Sequence, residues 1–479
     1  MPHRILALAA LFALPLVDTP WSCASAADDP EPTRAEVLKA MKHAATFYRG
    51  QVARHGGYVY FYSVDLQQRF GEGPASHDQI WVQPPGTPTV GMAYLQAFAA
   101  TADPFYLEAA IETAEALIYG QLESGGWTNC IDFNPQGERV AQYRNGKGRG
   151  RNYSSLDDDQ TQSAIRFLMR CDQACEFKNE RIHQATKVAR EALLAAQYPN
   201  GAFPQVWDGP VPRDQPLVAA QYPKYDWRTE GRIKEYWNAY TLNDGLAGSV
   251  CKLLIEAHQI YADVRFEASL RRLGDFLLLA QLPSPQPAWA QQYSYEMYPI
   301  WARKFEPAAV SGGESQDVLE ALLEIYQYTG DEKYLKPVPD AITYLKESLL
   351  ADGQLARFYE LQTNRPLYMK RQGEVYSLTY EDDQLPTHYS WKVPSRLHAI
   401  ETRYRQLLDT SGQPTRHTAT APTGDRVAAV LQSLDAEGRW VEVYQGERLV
   451  GAQKFRPGQQ YLSSQTFSRN LELMSRYVQ

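Results

Sequence analysis

The segment Val250–Gln281 reads VCKLLIEAHQIYADVRFEASLRRLGDFLLLAQ. Val250, Leu253, Leu254 and Ala257 recur at helical spacing, which makes the first half an amphipathic helix. Tyr261-Ala262-Asp263 is a short polar link, and a second helix follows at once, with its apolar run from Ala268 to Leu279. A hairpin of two such helices buries only one stripe on each, so it needs neighbours to stack against.

The same unit recurs along the chain. Amphipathic helices end near Gln51, Gln121, Gln197, Gln281 and Leu349, at intervals of 68 to 84 residues. Partner helices start near Val90, Gln160, Asp244, Glu314 and Ser395, with Val318, Leu319, Leu322, Leu323 and Ile325 repeating the apolar stripe. Thr101-Ala102-Asp103-Pro104 and Thr329-Gly330-Asp331 match the short link, and Phe105–Leu117 and Tyr334–Leu349 are the helices expected after them. Four of the five ends carry a glycine with an apolar or aromatic follower: Gly56-Gly57-Tyr58, Gly125-Gly126-Trp127, Gly201-Ala202-Phe203 and Gly353-Gln354-Leu355. Glycine stops helices there because it accepts positive φ at no steric cost. Pro283 to Pro287 does the same work by forbidding helix continuation.

Two helices per unit, with short and long links alternating, predict an all-α fold, an α/α toroid or incomplete α/α barrel over residues 28–410. The long links, roughly 120–158, 198–243, 282–313 and 353–393, then share one face, where sites belong. Ser411 to Gly424 reads as a linker, and residues 411–479 as a small accessory extension that packs on the ring or caps it. Trp440 to Gly451, centred on Gln445-Gly446, is its expected β-hairpin.

The 479 residues are 44% hydrophobic with a formal net charge of −8, which supplies a large core and argues against a nucleic-acid binder. Arg4, the apolar run Ile5–Val17 and Ala24-Ser25-Ala26 predict a cleaved signal peptide over 1–27, hence a secreted or periplasmic protein with no membrane span. Cys23 lacks a lipobox. Cleavage leaves Cys130, Cys171, Cys175 and Cys251. Bridges Cys171–Cys175 and Cys130–Cys251, a weak zinc site, and free buried thiols all stay open.

Asp157, Asp158 and Asp159 precede the helix starting near Gln160. A helix N-terminus welcomes one carboxylate, but three repel each other and call for a cation or a raised pKa. Asn243 and Asp244 hold the same place in the next unit, an N-cap by default. Such oxygen ligands suit Ca2+ or Mg2+. Arg357, Arg365 and Arg371 crowd one stretch of the functional face, and Arg303 in Trp301-Ala302-Arg303-Lys304 repeats the pairing of cation with aromatics. Arginine suits planar carboxylate recognition, and ion pairs with Glu306, Glu360 and Glu374 are the plain structural alternative.

In order and spacing these motifs resemble the family 10 pectate lyases (pectic acid lyases), over roughly residues 34–400. The matching pieces are Gly86-Thr87-Pro88-Thr89-Val90-Gly91, Leu156 to Gln162 with Ile165 to Leu168, Gln197 to Gly201, and Thr241-Leu242-Asn243-Asp244. Ser311-Gly312-Gly313-Glu314-Ser315, Ala356 to Arg371 and Tyr389-Ser390-Trp391 complete them. The resemblance implies an α/α toroid and Ca2+-assisted anti β-elimination of polygalacturonate. It implies Asp157, Asp158 and Asp244 at the calcium site, with Asp157 also counted among the catalytic residues. Arg371 looks like the proton acceptor, or else a charge stabiliser, since free arginine keeps its proton to about pH 12. Arg357 and Arg303 look like substrate-carboxylate binders, with Asn243 and Arg365 beside the substrate. Asp158 and Lys370 depart from the family pattern, and Lys370 is expected to make the site more cationic.

Two other readings use the same scaffold. An inverting glycoside hydrolase would take Asp157 and Asp244 as separated acid and base, with no calcium and no unsaturated product. A non-catalytic carbohydrate-binding or adaptor toroid would use Trp127, Trp207, Trp237 and Trp391 as stacking platforms or simply as core, whereas the lyase reading expects a monomer acting on polygalacturonate.

Overall fold

The computed structural model describes residues 31–409, 421–451 and 454–479, so the leader, Cys23 and most of the linker lie outside the described residues. Five helices form an outer layer: α1 (Arg34–Phe47), α3 (Pro104–Tyr119), α5 (Glu180–Ala195), α7 (Val264–Ala280) and α9 (Val338–Glu347). Against them pack α2 (Thr87–Thr101), α4 (Gln160–Ala174), α6 (Leu246–Tyr261), α8 (Gly312–Thr329) and α10 (Leu397–Asp409). Neighbouring inner helices touch in the order α2, α4, α6, α8, α10. This is the helical ring expected from the repeats, and among the described residues it forms no closed barrel.

The short links repeat one device. Ala102, Ala262 and Gly330 end their helices with φ of 55°, 52° and 69°. An aspartate comes next in each: Asp103 and Asp263 cap α3 and α7, and Asp331 caps a 3-10 turn, Glu332–Leu335. The helix expected over Tyr334–Leu349 is therefore shorter, because Pro337 separates that turn from α9.

The glutamines past the outer helices tie successive units together. Gln121 Nε2 donates to the carbonyls of Gly125 in its own turn and Ala185 in α5. Gln197 does so to Gly201 and Ser269, and Gln281 to Pro287 and Pro337. All three satisfy backbone acceptors that a buried turn would otherwise leave bare. The turn geometry is exacting at Gly201, where φ is +94° and an added Cβ would lie 1.8 Å from the Arg272 carbonyl oxygen. Gly201→Ala should cost roughly 3 kcal/mol or more, through backbone overlap and the left-handed φ, read as a lower urea midpoint at unchanged slope.

On the long-link face, short antiparallel ribbons lace each unit to the next, pairing Trp81 with Cys130, Ser154 with Trp207, Tyr240 with Tyr293 and Tyr359 with Val310. Trp127, Trp207 and Trp391 are buried in the core rather than offered as platforms, and Trp237 alone of the four is half-buried.

The extension does contain an antiparallel pair. Val441–Val443 forms one strand, but its partner is Gln460–Ser463 rather than the residues before Gly451. The returning strand also pairs with Phe61–Ser63 near the start of the ring. Two more helices follow the linker, α11 (Gly424–Gln432) and α12 (Ser464–Val478). Helix α12 packs on α1 and α2, with the Phe467 and Tyr48 rings stacked 3.8 Å apart. It thus stands beside α2 in the inner layer and gives α1 its hairpin partner. All four described cysteines are free thiols, three of them buried. Among the described residues no helix is long and apolar enough to cross a membrane.

Candidate active site

Two short turns ahead of inner helices supply the acids. Asp157–Asp159 before α4 and Asn243–Gly245 before α6 are both single 3-10 turns. In each, the second and third residues take left-handed φ: Asp158 and Asp159 at 45° and 60°, Asp244 and Gly245 at 52° and 70°. Aspartate tolerates that region better than most residues, yet two in succession are costly unless the surroundings hold them. Asp158 is therefore the structural equivalent of Asp244.

The turns bring Asp157 and Asp244 within hydrogen-bonding range of each other. Burial, then the charges of Asp157 and Asp158, push the Asp244 carboxyl up to about 9. Asp158 is exposed on one side, and desolvation on the other, then Asp157 and Glu72, raises it to about 6. Asp159 separates from the other two, facing the fields of Arg166 and Lys252 on the inner-helix side, and burial raises it to about 6.

Amides hold this acid cluster in place. Gln205 Nε2 donates to Asp157 at 2.7 Å, and Gln83 Nε2 to Asp158 at 3.1 Å. Asn243, buried, donates to Asp244 and accepts from Gln291, so it positions the carboxylate. The buried acceptors Gln83 Oε1 and Gln291 Oε1 have no partner, nor has Tyr60 OH, which lies in the field of Glu72 and Asp158. Among the described residues, no three His, Cys, Asp or Glu side chains converge as a ready cation cage.

Two arginines face the acids. Arg357 Nη2 lies 3.0 Å from Glu314 Oε1 and 3.8 Å from Asp244 Oδ1, with its guanidinium 4.9 Å from the Tyr389 ring centroid. Arg303 holds Glu306 with two bonds, the Nε contact at 2.6 Å, and Glu306 also accepts from Gln291 and Tyr389. Burial alone would lower both guanidinium pKa values, but the carboxylates around them raise both above the ordinary value. Each also feels the Asp244 charge. Arg303 lines a cavity of about 670 Å3 with Arg232, Lys234, Lys304, Tyr236 and Tyr376 among its walls. Tyr236 lies in the fields of Arg303 and Asp157, which joins the cavity to the carboxylates.

The other arginines are placed differently. Arg371 sits near the tip of the hairpin formed by Pro366–Gln372 and Val375–Thr379, its side chain 40% exposed. It donates to the Gly373 carbonyl and pairs with Glu374, which lines the Arg303 cavity, but it makes no contact with Asp157 or Asp244. Arg365 is exposed and lies 3.5 Å from the Tyr380 ring centroid. Lys370 pairs with Glu381 and Asp383, so its charge is largely spent away from the acids. The ion pairs Arg303–Glu306 and Arg371–Glu374 do form, whereas Glu360 pairs with Arg228 and Arg357 takes Glu314.

Reading the motifs one at a time misses Tyr60, Asn129, Gln205 and Gln291, yet the repeat carries a signal for them. Each stands two residues after the residue that follows a helix-stop turn: Tyr58, Trp127, Phe203 and Trp289, with Leu355 before Arg357 as the fifth case. All five anchors are fully buried or nearly so. The backbone N–H groups of Tyr58, Trp127 and Trp289 donate to Thr87, Thr161 and Ser315 at the starts of inner helices. The anchor fixes the chain, and the polar residue two positions on meets the site.

Residues 121–354, just under half the chain, match the family model described as pectic acid lyase. The match bears out the resemblance read from the sequence and makes the enzyme a polysaccharide lyase. No curated protein matches the chain. Among solved structures it is similar to the family 10 polysaccharide lyase from Cellvibrio cellulosa, with 21% identity over 68% of this chain and 97% of that one, at a TM-score of 0.46. A mutant of that lyase in complex with trigalacturonic acid gives 20% identity, 68% and 98% coverage, and a TM-score of 0.46. Cellobiose 2-epimerase from Spirochaeta thermophila gives 16% identity over 93% and 96% of the two chains, at a TM-score of 0.45.

Proposed function

We propose, from the placing of residues 121–354 in the pectic acid lyase family, that this chain is a secreted pectate lyase. It would cleave polygalacturonate by Ca2+-assisted anti β-elimination. The observation that carries the reading is the gathering of Asp157, Asp158 and Asp244 with the guanidinium groups of Arg357 and Arg303 around them.

The chemistry asks for positive charge. A base, the role the resemblance gives to Arg371 in its neutral form, takes the proton from C5 next to the uronate carboxylate and negative charge builds; the C4–O bond then breaks, C4=C5 forms, and the leaving oxygen takes a proton from water. Arg357 and Arg303 stand where they can neutralise that charge. The donor set suits a hard cation: mutually repelling carboxylates, with unpartnered amide oxygens of Gln83 and Gln291 nearby. Asp157, Asp158 and Asp244 would hold Ca2+, which when bound supplies Lewis-acid neutralisation of the uronate. Gln205, Gln83 and Asn243 orient those carboxylates.

Arg371 must swing in with the hairpin tip to reach the same sugar. Arg371→Ala decides whether it takes part: turnover lost on an intact fold makes it essential, as proton acceptor or charge stabiliser, and turnover kept removes it from the mechanism. The contact between Asp157 and Asp244 disfavours the inverting-hydrolase alternative, which needs roughly 6.5 to 9.5 Å between its carboxyl groups. Incubation with polygalacturonate and Ca2+ should build the ultraviolet absorbance of a 4,5-unsaturated uronide, and a chelator should abolish it. Reducing ends without that chromophore would sink the lyase chemistry.

A further inference from the structure

The loop between the strand at Cys130–Asp132 and the turn before α4 is basic out of proportion to this acidic chain. Arg139, Arg144, Lys147, Arg149 and Arg151 fall within it, against Glu138 as the one acid of the stretch 138–151. Arg139, Arg149 and Arg151 line a cavity of about 760 Å3 whose floor includes Asn129 and Cys130. All three side chains are exposed, and among the described residues none of them pairs with a carboxylate.

Arg139 and Arg149 are held in position by means other than acids. The Arg139 guanidinium lies 5.0 Å from the ring centroid of the fully buried Trp81. Arg149 donates to the carbonyls of Pro135 and Gly137, and its own N–H to Ala141. The Gln142 N–H donates to the Arg151 carbonyl, so both ends of the loop close on themselves. Arg139 and Arg149, exposed and fixed by a ring and by backbone carbonyls, keep their charge unneutralised for a ligand, and Arg151 adds a third charge on the same cavity wall.

The cavity also adjoins the acid cluster. Asn129 Nδ2 lies 3.5 Å from Glu72 Oε2, Glu72 Oε1 lies 3.5 Å from Gln83 Nε2, and the same Gln83 nitrogen bonds Asp158. The carboxylates are thus flanked by two basic cavities, one at Arg303 and one at this loop.

We propose that Arg139, Arg149 and Arg151 form a further anion subsite that binds carboxylates of a polyuronate beyond the sugar being cleaved. The inference rests on the lyase reading above and extends it from one sugar to several. A chain of regularly spaced carboxylates crosses from one cation-lined cavity, past the acid cluster and its cation, to the other. Short substrates that end at the acid cluster gain nothing from this loop.

The test compares the whole protein with its Arg139→Ala/Arg149→Ala/Arg151→Ala variant on long polygalacturonate and on trigalacturonate, both with Ca2+. Three exposed charge contacts predict a KM about tenfold higher on the long polymer, with kcat within about twofold. KM on the trimer should stay unchanged. An unchanged KM on the polymer overturns the subsite, as does an equal rise on both substrates. A triple lysine variant, which keeps the charge, should recover most of the loss; failure to do so with a normal melting curve also overturns it. Should wild type cleave neither substrate, the lyase reading fails separately, and retardation in a gel containing polygalacturonate decides. Retardation lost in the alanine variant then upholds the subsite, and equal retardation removes it.

Discussion

Arg357→Ala should lower kcat on polygalacturonate by about 10² to 10³-fold, the usual loss when a preorganised donor to developing negative charge is deleted. Arg357 is the cation nearest Asp244 and is 14% exposed, so no solvent cation replaces it at equal energy. The same change strips Glu314, itself 2% exposed, of its partner. Leaving one member of a buried pair charged costs about 3 to 5 kcal/mol, so a lower melting temperature accompanies the lost turnover. The two effects separate in the double variant Arg357→Met/Glu314→Gln. Its melting temperature should return towards wild type while turnover stays lost. Recovery of both would assign Arg357 to structure, and full turnover in the single variant would remove the cationic wall from the mechanism.

The second large effect is a pH dependence that Ca2+ reverses. Without the ion, the folded chain holds the Asp244 carboxyl up at about 9, against 3.8 ordinarily, because burial and Asp157 disfavour a second charge. The folded state therefore binds a proton that the unfolded chain has already lost. Stability from this group is complete below the ordinary value and falls as pH rises through the window, by at most about 1.4 kcal/mol per pH unit. A cation that replaces the proton removes that loss. The gain in melting temperature on adding Ca2+ should accordingly grow between about pH 5 and pH 9, and Asp244→Asn should flatten it. A gain independent of pH in the wild type would sink the assignment of Asp244 as a ligand.

The candidate site was legible in part. Asp157, Asp158 and Asp244 could be paired in advance because they occupy equivalent places in two units, and the ring brings equivalent places together. Arg357 and Arg303 announced themselves as cations among aromatics. Arg371 and Arg365 belong to the same stretch as Arg357, yet the chain leaves the ring after Tyr359 and turns back as a hairpin. Distance along the sequence therefore stopped predicting distance in space. Asp159 was lost from the acid cluster for a related reason: two successive left-handed residues turn the chain so that neighbouring aspartates point apart.

From the residues alone came the ring of helical hairpins, the face that carries the long links and the family of the central units. Those properties depend on local periodicity, turn chemistry and repeated motifs, which need no knowledge of distant partners. Tertiary structure alone decided that α12, from the far end of the chain, completes the first hairpin, with the Gln460–Ser463 strand pairing beside it. It also decided which carboxylate each arginine takes, and that an arginine-rich loop opens beside the acids. These outcomes depend on which surfaces meet when the units stack, and on the charge that burial leaves uncompensated there.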